Sequence, residues 1–235
     1  MCEVVVLFDG YSKSLDDGRM DANCTCTLIK GPKLIIVDTM TAWDRDKLIE
    51  ALARHKIEPR DIDYVVCTHS HSDHIGNNNL FTNAEHIVGL SVQRGTIFYE
   101  DPQISNGRFP KTYLQNYDSI EKVTIFSEGY ELCPGVKITA TPGHTREDVT
   151  VLVEMIKDGE VKILAITGDL FEKEEDILTP SIWKSLGTPE LLKSQSVMRS
   201  RIINLADFII PGHGPMFRVT DTMREIVKSQ LIQGD

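Results

Sequence analysis

The run Thr68-His69-Ser70-His71-Ser72-Asp73-His74 sets three imidazoles and one carboxylate within six consecutive positions, His69 to His74. Histidine is scarce here, with seven in a chain of 235 residues. Folding has no use for three of them beside an aspartate at the end of an apolar run. Metal chemistry does, because neutral imidazole nitrogen and carboxylate oxygen are ligands for borderline divalent ions such as zinc, and also suit iron or manganese. His69, His71 and Asp73 are spaced by two, so on a strand end they point the same way. His74 follows immediately and points elsewhere. Donors in two directions suit two neighbouring ions better than one.

A single tetrahedral ion takes three or four protein ligands. Two ions therefore need donors from distant parts of the chain. Three candidates stand beside glycine at expected strand ends: His144 in Thr141-Pro142-Gly143-His144, Asp169 in Thr167-Gly168-Asp169, and His213 in Pro211-Gly212-His213-Gly214. Gly and Pro let the backbone turn sharply and approach a site closely. Each dipeptide alone is an ordinary turn, but the three together with the cluster form a specific pattern. Asp38 ends the apolar run 35–37, and its expected role is to orient a metal-binding histidine. His55, near an expected helix C-terminus where the dipole favours it, and His86 lack such settings and are left out.

The elements that must carry these donors read as two similar halves. Residues 3–8 form a strand, and Asp9-Gly10 and Asp16-Asp17-Gly18 mark a long polar loop. Residues 24–29 and 34–37 flank Gly31-Pro32 as a hairpin. Residues 44–55 carry Leu48, Ile49, Leu52 and Ala53 on one helical face, and 62–67 is a buried strand ending at the histidine cluster. The stretch 91–120 is weakly patterned and reads as an irregular excursion. Strands are expected at 122–126 and 136–140, and a hairpin joins 149–155 to 161–167 through Lys157-Asp158-Gly159-Glu160. Helical spacing at 188–204, a short strand at 208–210 and a helix at 222–232 complete the pattern. The expectation is one domain over 1–235, an α/β layered sandwich with helices outside.

The formal net charge of -10 argues against non-specific attraction to nucleic acid or anionic membrane. Five cysteines show no disulfide-framework spacing and read as small core residues in a reducing compartment. No apolar run approaches the roughly 20 residues that cross a bilayer. The start, Met1 to Phe8, reads as a strand and not a signal peptide. A cytoplasmic location, extending to the nucleus, is the default.

On His69, His71, Asp73, His74, His144, Asp169 and His213, with Asp38 before them, the chain resembles the metallo-β-lactamase superfamily, whose signature is His-x-His-x-Asp-His. The resemblance implies a four-layer αβ/βα sandwich with two metal ions, zinc foremost, at one edge between the sheets. It implies that His69, His71 and His144 hold the first ion, that Asp73, His74 and His213 hold the second, and that Asp169 bridges both. Gly76-Asn77, Gly168-Asp169-Leu170-Phe171-Glu172 and the stretch 210–219 look like one branch of that family. That branch implies a homodimeric, metal-dependent endoribonuclease acting on histone pre-mRNA 3′ ends.

Two ions roughly 3.5–4 Å apart would share a bridging water and lower its pKa from about 15.7 toward neutrality, giving hydroxide at working pH. Asp73 is the candidate to orient or deprotonate that water. Substrate contacts are expected from the loops around the metal edge, with Tyr11, Phe171, Trp183 and Lys184 as candidates, the aromatic rings otherwise forming a hydrophobic rim or dimer contact. Arg199 and Arg201 on the late helix read as ordinary solvated helix charges, with a small basic patch as the alternative. The substrate is then RNA or a small molecule. A thioester or lactone hydrolase, a mono-iron persulfide dioxygenase-like enzyme and a non-catalytic metal-binding protein are the competing readings of the same donors.

Overall fold

The computed structural model describes residues 2–89 and 129–232, with the backbone of 91–93, 98–99 and 113–114. Strand β1 (Glu3–Phe8) leads into a hairpin of β2 (Tyr11–Ser14) and β3 (Met20–Asn23). Then come β4 (Cys26–Lys30), β5 (Leu34–Val37), helix α1 (Arg45–Arg54), β6 (Tyr64–Cys67), the one-turn helix α2 (Ser72–Ile75), β7 (Glu85–Val88) and β8 (Ser91–Gln93). A small pair, β9 (Phe98–Tyr99) and β10 (Tyr113–Leu114), follows. The later half holds β11 (Tyr130–Cys133), β12 (Val136–Ala140), β13 (Val149–Lys157), β14 (Glu160–Ile166), α3 (Ser181–Leu186), α4 (Leu192–Leu205), β15 (Phe208–Ile210), β16 (Phe217–Arg218) and α5 (Asp221–Ser229).

Two six-stranded sheets result, ordered β1-β4-β5-β6-β7-β8 and β11-β12-β13-β14-β15-β16. The period-2 alternation of their strands builds the layers. Ile35, Val37 and Val66 of the first sheet face Ile138, Val151, Leu164, Ile166 and Ile210 of the second in one shared core. Their neighbours Ile36 and Val65 turn the other way onto Leu48 and Leu52 of α1. Ala165 and Ile209 turn likewise onto Ile202 and Ile203 of α4 and Val227 of α5. This is the αβ/βα sandwich that the resemblance implies.

Among the described residues three pairings are parallel: β5 with β6, β6 with β7, and β14 with β15. The carboxyl ends of β5, β6, β12, β14 and β15 share one edge, the usual place for a site in parallel α/β sheets. Val149 N–H donates to Thr68 O at 2.9 Å and ties the two sheets together there.

Local expectations and structure differ at several points. The expected loop after Asp9 folds as the β2–β3 hairpin, with Tyr11 paired to Asn23 and Ser14 to Met20. Its strands, Tyr-Ser-Lys-Ser and Met-Asp-Ala-Asn, are mostly exposed and lack a regular apolar alternation, so no strand pattern marked it. The histidine cluster does not extend a strand: β6 stops at Cys67, and His71 caps α2. The helix expected at 188–204 starts as a 3-10 turn, Pro189–Leu191, before α4. The strands β7 and β11 and the short helix α3 had no clear sequence signal. The expected strand 122–126 and nearly all of 91–120 lie outside the described residues. All five cysteines are buried and free. Among the described residues, no helix is long and apolar enough to cross a membrane.

Candidate metal centre

The expected site residues lie on the segments that follow strands at the shared edge. Asp38 follows β5, with φ of 59°. His69 follows β6 and His71 precedes α2, which carries Asp73 and His74. His144 lies on the turn after β12, closed by Thr141 N–H to Asp148 O and by Thr145 N–H to Asp148 Oδ2, both 2.8 Å. Asp169 sits in the 3-10 turn Gly168–Leu170 after β14, and His213 in the turn after β15. Two glycines are required by close approach. A Cβ on Gly168 (φ +50°) would stand 2.3 Å from Thr68 Oγ1, and one on Gly212 would stand 2.0 Å from Asp169 Oδ1.

The folded chain brings all seven donors together. Ligand-type atoms of His69, His71, His144 and Asp169 lie within 4.8 Å of one another, as do those of Asp73, His74 and His213. Asp169 stands between the two sets. Its Oδ2 is 3.6 Å from His69 Nε2, 3.4 Å from His144 Nε2 and 3.2 Å from His213 Nε2, and its Oδ1 is 3.3 Å from His74 Nε2. Asp73 Oδ2 is 3.8 Å from both His74 Nε2 and His213 Nε2. His144 Nε2 is 3.1 Å from His71 Nδ1.

The rings are aimed by what their other nitrogens meet. His74 Nδ1 lies 2.9 Å from Asp38 Oδ2, so a carboxylate holds its N–H. Thr68 N–H and Thr68 Oγ1 also donate to Asp38, at 2.7 and 3.0 Å. With its proton on Asp38, the Thr68 hydroxyl is left to accept from His69 Nδ1 at 3.2 Å. His213 Nδ1–H donates to the carbonyl of Asn23 at 3.0 Å. In all three rings Nε2 is therefore the nitrogen turned inward, and in all three it faces Asp169. Asp38 is not among the converging donors but behind them.

Whether these residues fit divalent cations is answered by their unpaired atoms. His69 Nε2, His74 Nε2 and Asp169 Oδ1 are buried without a hydrogen-bond partner. Each such atom costs about 1–3 kcal/mol if left unsatisfied. Imidazoles and carboxylates turned inward on one point are a donor set for zinc, iron or manganese. The electrostatics agree. Burial lowers the pKa of His69 and His144, keeping them neutral donors. Burial also opposes charge on His74 and His213, yet the carboxylates of Asp38 and Asp169 hold His74 well above the usual imidazole range. Asp169 foremost lifts His213 to about 9. The centre thus favours positive charge where the second set converges.

The remaining candidates fall in different places. Phe171 and Trp183 are fully buried and cannot touch a substrate at the surface. They sandwich Arg199, whose guanidinium lies 4.1 Å from the Phe171 ring and 5.0 Å from the Trp183 ring. Arg199 itself is 1% exposed and paired with Asp176, so it forms no basic patch with Arg201. Lys184 is exposed on α3, beside the Trp183 ring. Tyr11 remains exposed on the β2–β3 hairpin, its hydroxyl donating to Asp21 at 3.2 Å. His55 and His86 stand apart, the latter bonded to Phe81 O.

One residue of the centre escaped the sequence reading. Glu172 is buried, and its carboxylate groups with Asp169 and His213. Burial first, and then the Asp169 charge, push its pKa well above the usual carboxylate range. Its sequence signals are its position three residues after Asp169 and its place in the stretch Gly168 to Glu172, which carried the branch resemblance without marking it as a site residue.

Residues 19–213 match the family model of the metallo-beta-lactamase superfamily. The chain is 39% identical over 216 residues to "Metallo-beta-lactamase domain-containing protein 1" of Xenopus laevis, covering 92% of this chain and 81% of the frog protein. It is 34% identical over 134 residues to an N-acyl homoserine lactonase of Bacillus sp, covering 56% of this chain and 50% of the lactonase. Its fold matches a putative metallo-beta-lactamase from Thermotoga maritima with a TM-score of 0.59 at 21% identity, over 92% of this chain and 99% of that one. With its donors on the strand ends where the signature motifs fall, this chain belongs to the metallo-beta-lactamase superfamily.

Proposed function

We propose that this chain is a dinuclear metallohydrolase that cleaves RNA phosphodiesters. The observation that carries the hydrolase reading is the convergence of His69, His74 and His213, each through Nε2, on the Asp169 carboxylate. Two sets of donors around one shared carboxylate suit two ions, with His69, His71 and His144 on one side and Asp73, His74 and His213 on the other. Divalent ions held there supply Lewis-acid chemistry and acidify water, from a pKa of about 15.7 toward 7.

The chain's own residues do the rest. The Asp73 side chain is 19% exposed, against 5% for Asp169 and 2% for Glu172. It is the carboxylate that reaches the open side of the centre, beside exposed His71. Asp73 orients the attacking water and accepts its proton. Asp38 keeps the His74 ring from turning.

The phosphodiester substrate rests on the branch-like stretches around Gly76-Asn77, Gly168 to Glu172 and 210–219. The same resemblance carries a homodimer and a cytosolic and nuclear site of action, which light scattering and imaging test. The similarity to a lactonase and the net charge of -10 favour a second reading, a small-molecule lactone or thioester hydrolase. The deciding experiment is metal analysis of protein purified without chelators, paired with turnover of single-stranded RNA, a lactone and a thioester. Two ions per chain with RNA cleavage support the lead reading, and a steep salt dependence of RNA binding accompanies it. Two ions with lactone or thioester turnover alone transfer the assignment to the second.

A further inference from the structure

Four of the five histidines in the centre have one ring nitrogen turned away from it. For His69, His74 and His213 that nitrogen is Nδ1, and each has a partner: Thr68 Oγ1, Asp38 Oδ2 and Asn23 O. His144 is the fourth. Its Nε2 faces His71 and Asp169, so its Nδ1 points outward. That Nδ1 is buried and has no hydrogen-bond partner. Facing it at 3.8 Å is Glu172 Oε1, which is also buried and also without a partner.

Neither atom has a hydrogen-bond partner among the described residues, and they are of opposite kind. Leaving both unmade carries the desolvation cost of two buried polar groups. A closure of about 1 Å brings them to hydrogen-bond distance and relieves both. The backbone on either side makes Glu172 a fixed point for such a contact. Its N–H donates to Asp176 Oδ2 at 2.8 Å, and its carbonyl accepts from His213 N–H at 2.7 Å. Asp176 is held in turn by Arg199 through two bonds of 2.9 and 2.6 Å.

We propose that Glu172 is the positioning residue for His144, accepting its Nδ1–H through Oε1 so that Nε2 is presented to the metal. Glu172 then does for the first donor set what Asp38 does for the second. Its other oxygen, Oε2, lies 3.8 Å from His213 Nε2, so one carboxylate stands beside a histidine of each set. A carboxylate behind a ligating imidazole fixes its tautomer and raises its basicity. This inference rests on the metal-centre reading above, and the test separates the two.

Zinc affinity is measured by competition with a chromophoric chelator for the wild type, Glu172→Gln and Glu172→Leu. Imidazole tautomers are read by long-range 15N NMR of the zinc-loaded protein. Glu172→Gln keeps an oxygen that accepts from His144 and is expected to hold affinity within a few-fold. Glu172→Leu removes the acceptor and is expected to weaken one of the two zinc sites by about 10–100-fold. Its His144 Nδ1–H signal should also exchange faster. Glu172→Asp, whose shorter side chain retreats from Nδ1, covers the case in which the leucine variant does not fold, and it is expected to weaken the same site. Equal affinity in the leucine or aspartate variant overturns the inference. So does a loss in Glu172→Gln as large as in Glu172→Leu, which would make Glu172 a direct ligand. A wild type that binds no zinc sinks the metal-centre reading itself.

Discussion

Asp38 Oδ2 stands 2.9 Å from His74 Nδ1, and the opposite nitrogen of that ring stands 3.3 Å from Asp169 Oδ1. A residue that touches none of the inward-facing atoms therefore decides which atom of His74 they meet. Asp38 also collects Thr68 N–H and the Thr68 hydroxyl, which in turn receives His69 Nδ1. One buried carboxylate thus aims two histidines.

Replacing Asp38 should consequently weaken metal binding more than folding. Asn tolerates the positive φ at this position and keeps an acceptor for Thr68 N–H. Its amide cannot accept from every donor that the carboxylate serves. Asp38→Asn is expected to lower metal affinity by about 10–100-fold, read by chelator competition, with circular dichroism unchanged.

His71→Ala and His144→Ala remove donors of the first set. Both variants are expected to lose metal retention and activity. Metal content by mass spectrometry checks this, and normal stoichiometry in either variant contradicts the ligand assignment.

Asp169→Ala should disrupt the pair rather than one site. Four histidines lie within 3.6 Å of its carboxylate. The expected outcome is at most one ion per chain, measured by mass spectrometry of the native protein.

Chelation should lower thermal stability, because ions that bind only the folded state stabilise it by about 2.7 kcal/mol at one hundred times Kd. For a chain of this size that corresponds to a Tm shift of roughly 5–10 °C. Differential scanning calorimetry with and without chelator measures it, and an unchanged Tm argues against a tight site.

Arg199→Met should destabilise the fold. Arg199 and Asp176 are almost fully buried, and Arg199 also donates to Leu170 O at 2.8 Å. Removing one partner of a buried pair costs about 3–5 kcal/mol. Urea unfolding is expected to show that loss, and restoring apolar complementarity with a second change, Asp176→Leu, is expected to recover part of it.

The residue types of the centre were legible in the sequence because metal donors are chemically few and their glycine-flanked turns are marked. Asp38, His69, His71, Asp73, His74, His144, Asp169 and His213 were all named from type and context, and the folded chain gathers them at one edge. The layers were legible too, since alternation such as Ile35, Ile36 and Val37 states which residues face which side. What the tertiary structure decided is orientation and company. Which nitrogen of each imidazole faces inward depends on partners from other strands, such as Asn23 for His213 across 190 positions. Glu172 joins the centre because its own loop is pinned to α4 by Arg199, and Phe171 and Trp183 are buried by the same pinning. Local sequence encodes propensity and chemistry, but a hydrogen bond between distant segments exists only once parallel strands and packed helices have fixed the distance between them.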